Sequence, residues 1–153
     1  MMNTEMLRKD LIDLNMEVKN SDEFFTQITK KLVDKGLVTE DYAQGLIQRE
    51  KKYPTGLPTQ PYAVAIPHAD PVYIKEQFIA VIRLKDSIKW CEMATDDVWH
   101  DVRLIFVLGF KHDEGHIEVL QTLVNNFQDP SLMEKLLASN CEEEFLNLIK
   151  EMK

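Results

Sequence analysis

The sequence predicts an α/β domain in which helices pack on a small mixed β-sheet. Three observations favour this class: two helical patterns come first, a cluster of short apolar strands follows, and helical patterns return from Asp113 onward. The 153 residues are enough for one hydrophobic core, and neither an internal repeat nor a linker-like stretch divides them. We therefore expect a single domain over residues 1–153, with residues 1–10 frayed.

The first third of the chain contains one predicted strand and two predicted helices. A near-alternating apolar run over residues 11–18 predicts the strand. The first helix lies within residues 20–36, where Asn and Ser can cap its start and a glycine ends it. The second helical pattern covers residues 39–53, with Arg49 near its end, and Pro54 breaks it.

The middle of the chain contains the predicted sheet. Strands are expected at residues 62–66, 78–84 and 102–108, because these β-branched or aromatic runs are bounded by polar or proline-containing stretches. The polar stretch 85–101 is interpreted as a turn and a mobile connection, with room for a short strand at residues 88–90.

Composition excludes several classes of function. The 18 basic and 26 acidic residues give a net charge of −8, and no basic tract offers a surface for nucleic acid or anionic lipid. The longest apolar runs are too short to span a bilayer, and the charged start Met1–Asp10 is unlike a signal peptide, so we expect a cytoplasmic protein. Cys91 and Cys141 have no CxxC spacing, which predicts neither a disulfide framework nor a cysteine-based metal site.

Four histidines are the candidate reactive groups, and their contexts differ. His68 directly follows a predicted strand and a proline, so its imidazole is expected at the end of a rigid element. His116 falls about one turn into a predicted helix, where the positive end of the helix dipole disfavours the imidazolium form. His100 and His112 have no comparable context. Judged by context alone, a surface or structural role is the more common one for each of these histidines.

A zinc site is the first alternative. His112 and His116 have the i, i+4 spacing with which one helix face can hold a zinc ion. The pattern differs in detail, because Asp113 stands where metalloproteases have glutamate, and Gly115 makes a continuous helix through both rings doubtful. Glycine-rich phosphate loops and the GxSxG motif of serine hydrolases are absent, so neither a nucleotide site nor a catalytic serine is expected.

Several short motifs follow one another along the chain in an order that is characteristic of one protein family. Over residues 20–150 their order resembles the fructose/mannitol-type IIA domains of the bacterial phosphoenolpyruvate-dependent sugar phosphotransferase system, most closely the galactitol-type subgroup. The motifs are Arg49-Glu50, Tyr53-Pro54-Thr55-Gly56-Leu57, Val64-Ala65-Ile66-Pro67-His68, Ile88-Lys89-Trp90, Val102-Arg103-Leu104-Ile105-Phe106 and Gly115-His116-Ile117-Glu118-Val119-Leu120.

The resemblance implies a fold and a reaction. The fold is a three-layer α/β/α sandwich around a small mixed sheet. His68 is the implied phosphoryl acceptor, loaded by the phosphohistidine of the carrier HPr and discharged to a cysteine of a cognate IIB component, with the membrane component IIC involved only indirectly. Arg49 and His116 occupy the positions of the family's phosphate-stabilising arginine and second histidine. The implied transport substrate is galactitol or a related polyol or sugar, and no nucleotide, metal or other cofactor is required.

Two features leave the interpretation open. Asp70 puts a carboxylate near the expected phosphoryl site, where it opposes phosphorylation unless it points away or holds the other nitrogen of a nearby ring. Cys91 lacks the phosphate-cradling loop of a IIB cysteine, so we expect a IIA component alone.

A regulatory IIA-like module of the nitrogen type, whose output is partner binding, is the second hypothesis for the function. A zinc hydrolase using His112 and His116 is the third.

Overall fold

The computed structural model describes residues 6–111 and 116–153, with the backbone alone for His116. No helix in these ranges is both long and apolar enough to cross a membrane. The elements in chain order are β1 (Leu7–Met16), α1 (Ser21–Asp34), α2 (Tyr42–Lys52), β2 (Gly56–Leu57), β3 (Ala63–Ala65), a 3₁₀ turn (Pro71–Tyr73), β4 (Phe78–Cys91), β5 (Trp99–Gly109), α3 (His116–Phe127), α4 (Pro130–Ala138) and α5 (Glu142–Lys150).

The five strands form one mixed sheet in the order β1-β4-β5-β3-β2. Strand β1 runs parallel to β4 and β3 runs parallel to β5, whereas the pairs β4–β5 and β2–β3 are antiparallel. The short strand β3 therefore lies between two partners, with its carboxyl end at the same edge of the sheet as the carboxyl end of β5.

Side chains of the sheet alternate between two hydrophobic cores. Along β4, Ala80 and Ile82 face one core together with α1 and α2, whereas Ile79 and Val81 face the other with α3, α4 and α5. This is the period of two expected when both faces of a sheet are covered. The predicted three-layer α/β/α sandwich is confirmed.

The signals that delimit α1 act as predicted. The side chain of Asn20 accepts a hydrogen bond of 2.8 Å from the amide of Glu23, which satisfies one of the unpaired donors of the first turn. After the last turn, Gly36 adopts a φ of +74°, a left-handed conformation that glycine reaches without steric cost. The second helix also lies where it was expected, and its last turn contains Arg49.

Two expectations about strands were wrong. Strand β1 begins at Leu7, which pairs with Ile79 and faces a core, so residues 7–10 belong to the sheet rather than to a frayed terminus. The stretch 85–101 is not a mobile connection, because β4 continues to Cys91 and β5 begins at Trp99. The short strand expected at residues 88–90 is confirmed as part of β4, where it pairs with β5. The sequence of this stretch is polar because residues 85–87 are exposed at a register shift in the β4–β5 pairing. Beyond the shift, Ile88 and Trp90 are buried again.

Trp90 packs the second half of β4 against the hydrophobic core. Its ring is only 1% exposed and contacts Phe24 and Phe25 edge-on, with centroid distances of 6.1 and 5.4 Å. The indole is thus part of the core beneath α1, whereas Trp99, which pairs with Cys91 across the hairpin, is 56% exposed.

Candidate active site

His68 lies just beyond the carboxyl end of β3. The strand is held on one side by β5 and on the other by β2, and the carbonyl of Pro67 accepts a hydrogen bond of 3.1 Å from the amide of Leu108. Val64 at the centre of the strand is fully buried. The backbone that carries His68 is therefore fixed by main-chain bonds from two neighbouring strands, as the sequence predicted for a residue after a rigid strand.

The imidazole of His68 is half-buried and oriented by its own backbone. Nδ1 lies 3.1 Å from the carbonyl oxygen of Ile66. Because a carbonyl oxygen can only accept, Nδ1 carries the proton in this contact, and Nε2 carries the lone pair of the neutral ring. The local geometry thus selects the ring nitrogen that can act as a nucleophile.

Arg49 projects from the last turn of α2. Its guanidinium lies 5.3 Å from the centroid of the Tyr53 ring, and its Nη1 lies 3.3 Å from Oδ1 of Asp70. The Nε atom is buried and makes no hydrogen bond to any residue that the structure describes. Among the described contacts, Arg49 therefore has more N–H donors than hydrogen-bond acceptors.

His68 and Arg49 line the same pocket, which has a volume of about 200 Å³. A cationic fork and an imidazole facing one small space are the groups expected around a transferred phosphoryl group. The other described lining residues are apolar except for Asp70. The lining residues are Arg49, His68, Ala69, Asp70, Pro71, Phe110 and Leu120.

The third predicted site residue falls outside what can be described. His116 is the first residue of α3, and its side chain is not among the described atoms; His112, Asp113 and Gly115 lie outside the described residues altogether. Position 116 is one helical turn before Leu120, which lines the His68 pocket. The role of His116 and the zinc-site alternative therefore stay predictions.

The structure shows where the carboxylate of Asp70 lies relative to the expected phosphoryl site. This carboxylate neither points away nor binds a ring nitrogen in the contacts described, but forms an ion pair with Arg49. His100, the remaining histidine, lies in β5 with its Nε2 2.8 Å from Oε1 of Glu92, and it does not line this pocket. Cys91 is buried at the end of β4, where it also lies outside the pocket.

Sequence reasoning did not find the network around Glu50. Its carboxylate accepts hydrogen bonds from the amide of Thr55 at 2.7 Å, from the Thr55 hydroxyl at 2.9 Å and from Nε1 of Trp90 at 2.6 Å. The carbonyl of Thr55 in turn accepts a bond of 3.3 Å from the amide of Ile66. Glu50 therefore connects α2, through Thr55, to the residue whose carbonyl orients His68.

Replacing Glu50 is expected to affect stability more than chemistry. Glu50→Ala leaves the donors of Thr55 and Trp90 without an acceptor and should lower the free energy of unfolding by about 2 to 4 kcal/mol. Glu50→Gln can still accept the bonds from the Thr55 amide and the Trp90 indole through its carbonyl and should cost much less. Urea denaturation at neutral pH measures both variants, and equal losses for the two would contradict this role.

The Glu50 carboxyl also predicts a pH dependence. Burial raises the pKa of Glu50 above its ordinary value, although Thr55 and Trp90 donate to it. The unfolded state then ionises at lower pH than the folded state, so the stability of the wild type relative to Glu50→Gln should fall as the pH rises from the ordinary carboxyl range through the raised pKa. Above that pKa the difference should be constant, which urea denaturation from pH 4 upward can follow.

The backbone at Gly56 packs closely against the backbone of Cys91. A Cβ atom at this position would lie 2.5 Å from the carbonyl oxygen of Cys91, a backbone atom that cannot rotate away. We expect Gly56→Ala to lower the free energy of unfolding by about 1 to 3 kcal/mol. Gly36→Ala is a useful comparison, because space is open there and only the positive φ opposes it. Thermal denaturation of both should show the larger loss at Gly56.

Comparison with known proteins identifies the family. Residues 5–152 match the family model described as "Phosphoenolpyruvate-dependent sugar phosphotransferase system, EIIA 2". The chain belongs to this family. The resemblance predicted from the sequence is thereby confirmed. The galactitol-specific EIIA component of Escherichia coli K12 is 30% identical over 115 residues, which cover 75% of this chain and 76% of that protein.

Two solved structures of EIIA domains show the same architecture. The nitrogen regulatory protein IIA-Ntr of Neisseria meningitidis superposes with a TM-score of 0.79 at 30% identity, covering 95% of this chain and 97% of that one. The E. coli enzyme IIA for mannitol, solved in complex with phosphorylated enzyme IIB for mannitol, superposes with a TM-score of 0.77 at 23% identity, covering 94% and 98%. This second likeness supports the fold alone.

Proposed function

We propose that this EIIA chain is a cytoplasmic phosphocarrier of a sugar uptake system. His68 accepts a phosphoryl group from the phosphohistidine of HPr and passes it to a cysteine of the cognate IIB component. The observation that carries the proposal is the shared pocket, which is lined both by His68, with the lone pair of its neutral ring on Nε2, and by Arg49. Membership of the EIIA family supports the same reaction.

The transfer step is a displacement at phosphorus. The lone pair of Nε2 forms the new N–P bond while the N–P bond of the donor histidine breaks, and its electron pair returns to the donor ring. The His68 ring becomes an imidazolium, whose Nδ1–H still donates to the Ile66 carbonyl. On discharge, a thiolate of the IIB component attacks phosphorus and the electron pair of the N–P bond returns to Nε2.

The pocket contributes positioning and charge stabilisation to this transfer. Arg49 can donate two parallel hydrogen bonds to phosphoryl oxygens, an arrangement that its planar guanidinium favours. Ala69, Phe110 and Leu120 contribute apolar atoms to the pocket walls. The family resemblance implies His116 as a second active-site histidine, and we propose it as an N–H donor to the phosphoryl group.

The proposed transport substrate is galactitol or a related polyol or sugar. The support is the 30% identity to the galactitol-specific EIIA component of E. coli K12. In the proposed scheme the sugar contacts only the membrane component IIC, so the choice of sugar is exerted through the choice of IIB partner. A galactitol-type IIB is therefore the first acceptor to test.

Intact-protein mass spectrometry tests the proposal. The chain is incubated with phosphoenolpyruvate, enzyme I and HPr, and a single acid-labile phosphoryl adduct is expected. Adding a galactitol-type IIB should then remove the adduct and produce a phosphorylated IIB. Absence of any adduct on the intact, folded chain would overturn the phosphocarrier role.

A regulatory role is the second candidate. The favouring observation is the 30% identity to the nitrogen regulatory IIA-Ntr of N. meningitidis over nearly the whole chain. Such a module can be phosphorylated on His68 and yet have partner binding as its output. Discharge separates the two candidates: a transport carrier loses its phosphoryl group to a IIB component, whereas a purely regulatory module retains it when galactitol- and mannitol-type IIB proteins are added.

A further inference from the structure

Asp70 occupies a revealing position beside the proposed acceptor. It follows His68 by two residues and lines the same pocket, and its carbonyl accepts a bond of 3.2 Å from the amide of Tyr73, the last residue of the 3₁₀ turn. The backbone of Asp70 is thus fixed. Its carboxylate is directed to Arg49, with 3.3 Å between Oδ1 and Nη1, while 68% of its side chain remains exposed.

The same guanidinium therefore has two potential anionic partners. In the unphosphorylated protein its described anionic partner is Asp70. A phosphoryl group on Nε2 of His68 would enter the pocket with about two negative charges, and phosphate is a stronger acceptor for arginine than a single carboxylate oxygen at 3.3 Å. An exposed ion pair of this kind contributes little free energy and can be exchanged readily.

We propose that Asp70 sets the phosphoryl-transfer potential of His68 by competing with the phosphoryl group for Arg49. Before phosphorylation its carboxylate holds the guanidinium of Arg49 in the pocket. After phosphorylation the phosphoryl oxygens displace it from Arg49, and it remains beside a group of like charge. Both effects favour the unphosphorylated state, so Asp70 makes phospho-His68 a better donor. This inference rests on the proposed phosphocarrier function and explains the acidic residue that the sequence analysis found unfavourable.

Removing the charge of Asp70 should shift the phosphoryl equilibrium. We expect Asp70→Asn to favour phospho-His68 over phospho-HPr by about fivefold to tenfold relative to the wild type, because repulsion between close charges is lost. Glu17→Gln is the matched control, since Glu17 also has a 68% exposed side chain and pairs with a basic residue, Lys85, at 3.2 Å. The equilibrium constant is measured by mass spectrometry of mixtures of HPr and the chain, and the shift should shrink in high salt.

Binding of inorganic phosphate gives a second measurement that needs no carrier protein. The unphosphorylated chain is titrated with phosphate while the ring resonances of His68 are followed by NMR. Asp70→Asn should bind about threefold or more tightly than the wild type, because phosphate no longer competes with the carboxylate for Arg49. Arg49→Ala should lose this binding, and Glu17→Gln should match the wild type.

The outcomes distinguish the inference from the function on which it rests. If the wild type is labelled by HPr but Asp70→Asn matches Glu17→Gln in both measurements, the inference is overturned and the phosphocarrier function stands. If HPr does not label the wild type but Asp70→Asn still strengthens phosphate binding, the function fails and the competition for Arg49 is supported. A shift of either equilibrium toward the opposite side also overturns the inference.

Discussion

Replacing His68 with glutamine should abolish phosphoryl acceptance from HPr, with a loss of at least roughly a thousandfold, the scale on which removal of an enzyme's nucleophile acts. An amide nitrogen has no nucleophilic lone pair, so Nε2 of the ring has no substitute. The side chain is only half-buried, so folding should be little affected. Mass spectrometry after incubation with phospho-HPr measures acceptance, and thermal denaturation measures folding.

His100→Gln is the control for this experiment. His100 is also half-buried and hydrogen-bonded, to Glu92, but it does not line the pocket. It should be labelled like the wild type. Normal labelling of His68→Gln, with the adduct on another residue, would show that the acceptor has been assigned incorrectly.

Arg49→Ala should slow phosphoryl transfer to His68 by about a hundredfold, the usual consequence of removing one positioned donor from a transition-state site. The effect should appear in the maximal rate more than in the apparent affinity for phospho-HPr, because the proposed contact is with the transferring group. Arg49→Lys restores the charge without the planar fork and should recover part of the rate. Rapid-quench kinetics with phospho-HPr provides these values.

Lys52→Ala is the matched control for Arg49. Lys52 belongs to the same helix and its Nζ lies 5.5 Å from the same Tyr53 ring, but it does not line the His68 pocket. Its removal deletes an equal charge and should leave the rate within about twofold of the wild type. Equal losses for Arg49→Ala and Lys52→Ala would mean that Arg49 acts through general electrostatics.

The parts of the fold that the sequence predicted are those with local signals. Helix α1 has a capping asparagine at its start and a glycine after its end, and both act in the structure as they do in isolated helices. His68 could be singled out because a strand, a proline and a histidine are adjacent in the chain. Its contact with Ile66 spans only two residues.

The parts that could not be predicted depend on distant residues. The bond between Glu50 and Trp90 joins positions 40 apart, and nothing local distinguishes this glutamate from a surface residue. The second half of β4 contains exposed polar residues beside its register shift, so its pattern is that of a loop until the pairing with β5 is known. The ion pair of Arg49 with Asp70 likewise required the relative placement of α2 and the segment after β3.

The group that orients the His68 ring is a main-chain carbonyl, and this affects how the protein can change during evolution. A side-chain acceptor disappears with a single codon change, whereas the Ile66 carbonyl is present whatever residue occupies that position. A substitution at position 66 therefore leaves in place the carbonyl that Nδ1 of His68 contacts. Under the proposed function, a substitution near the pocket that leaves this stretch of backbone in place should therefore leave the reactive nitrogen unchanged.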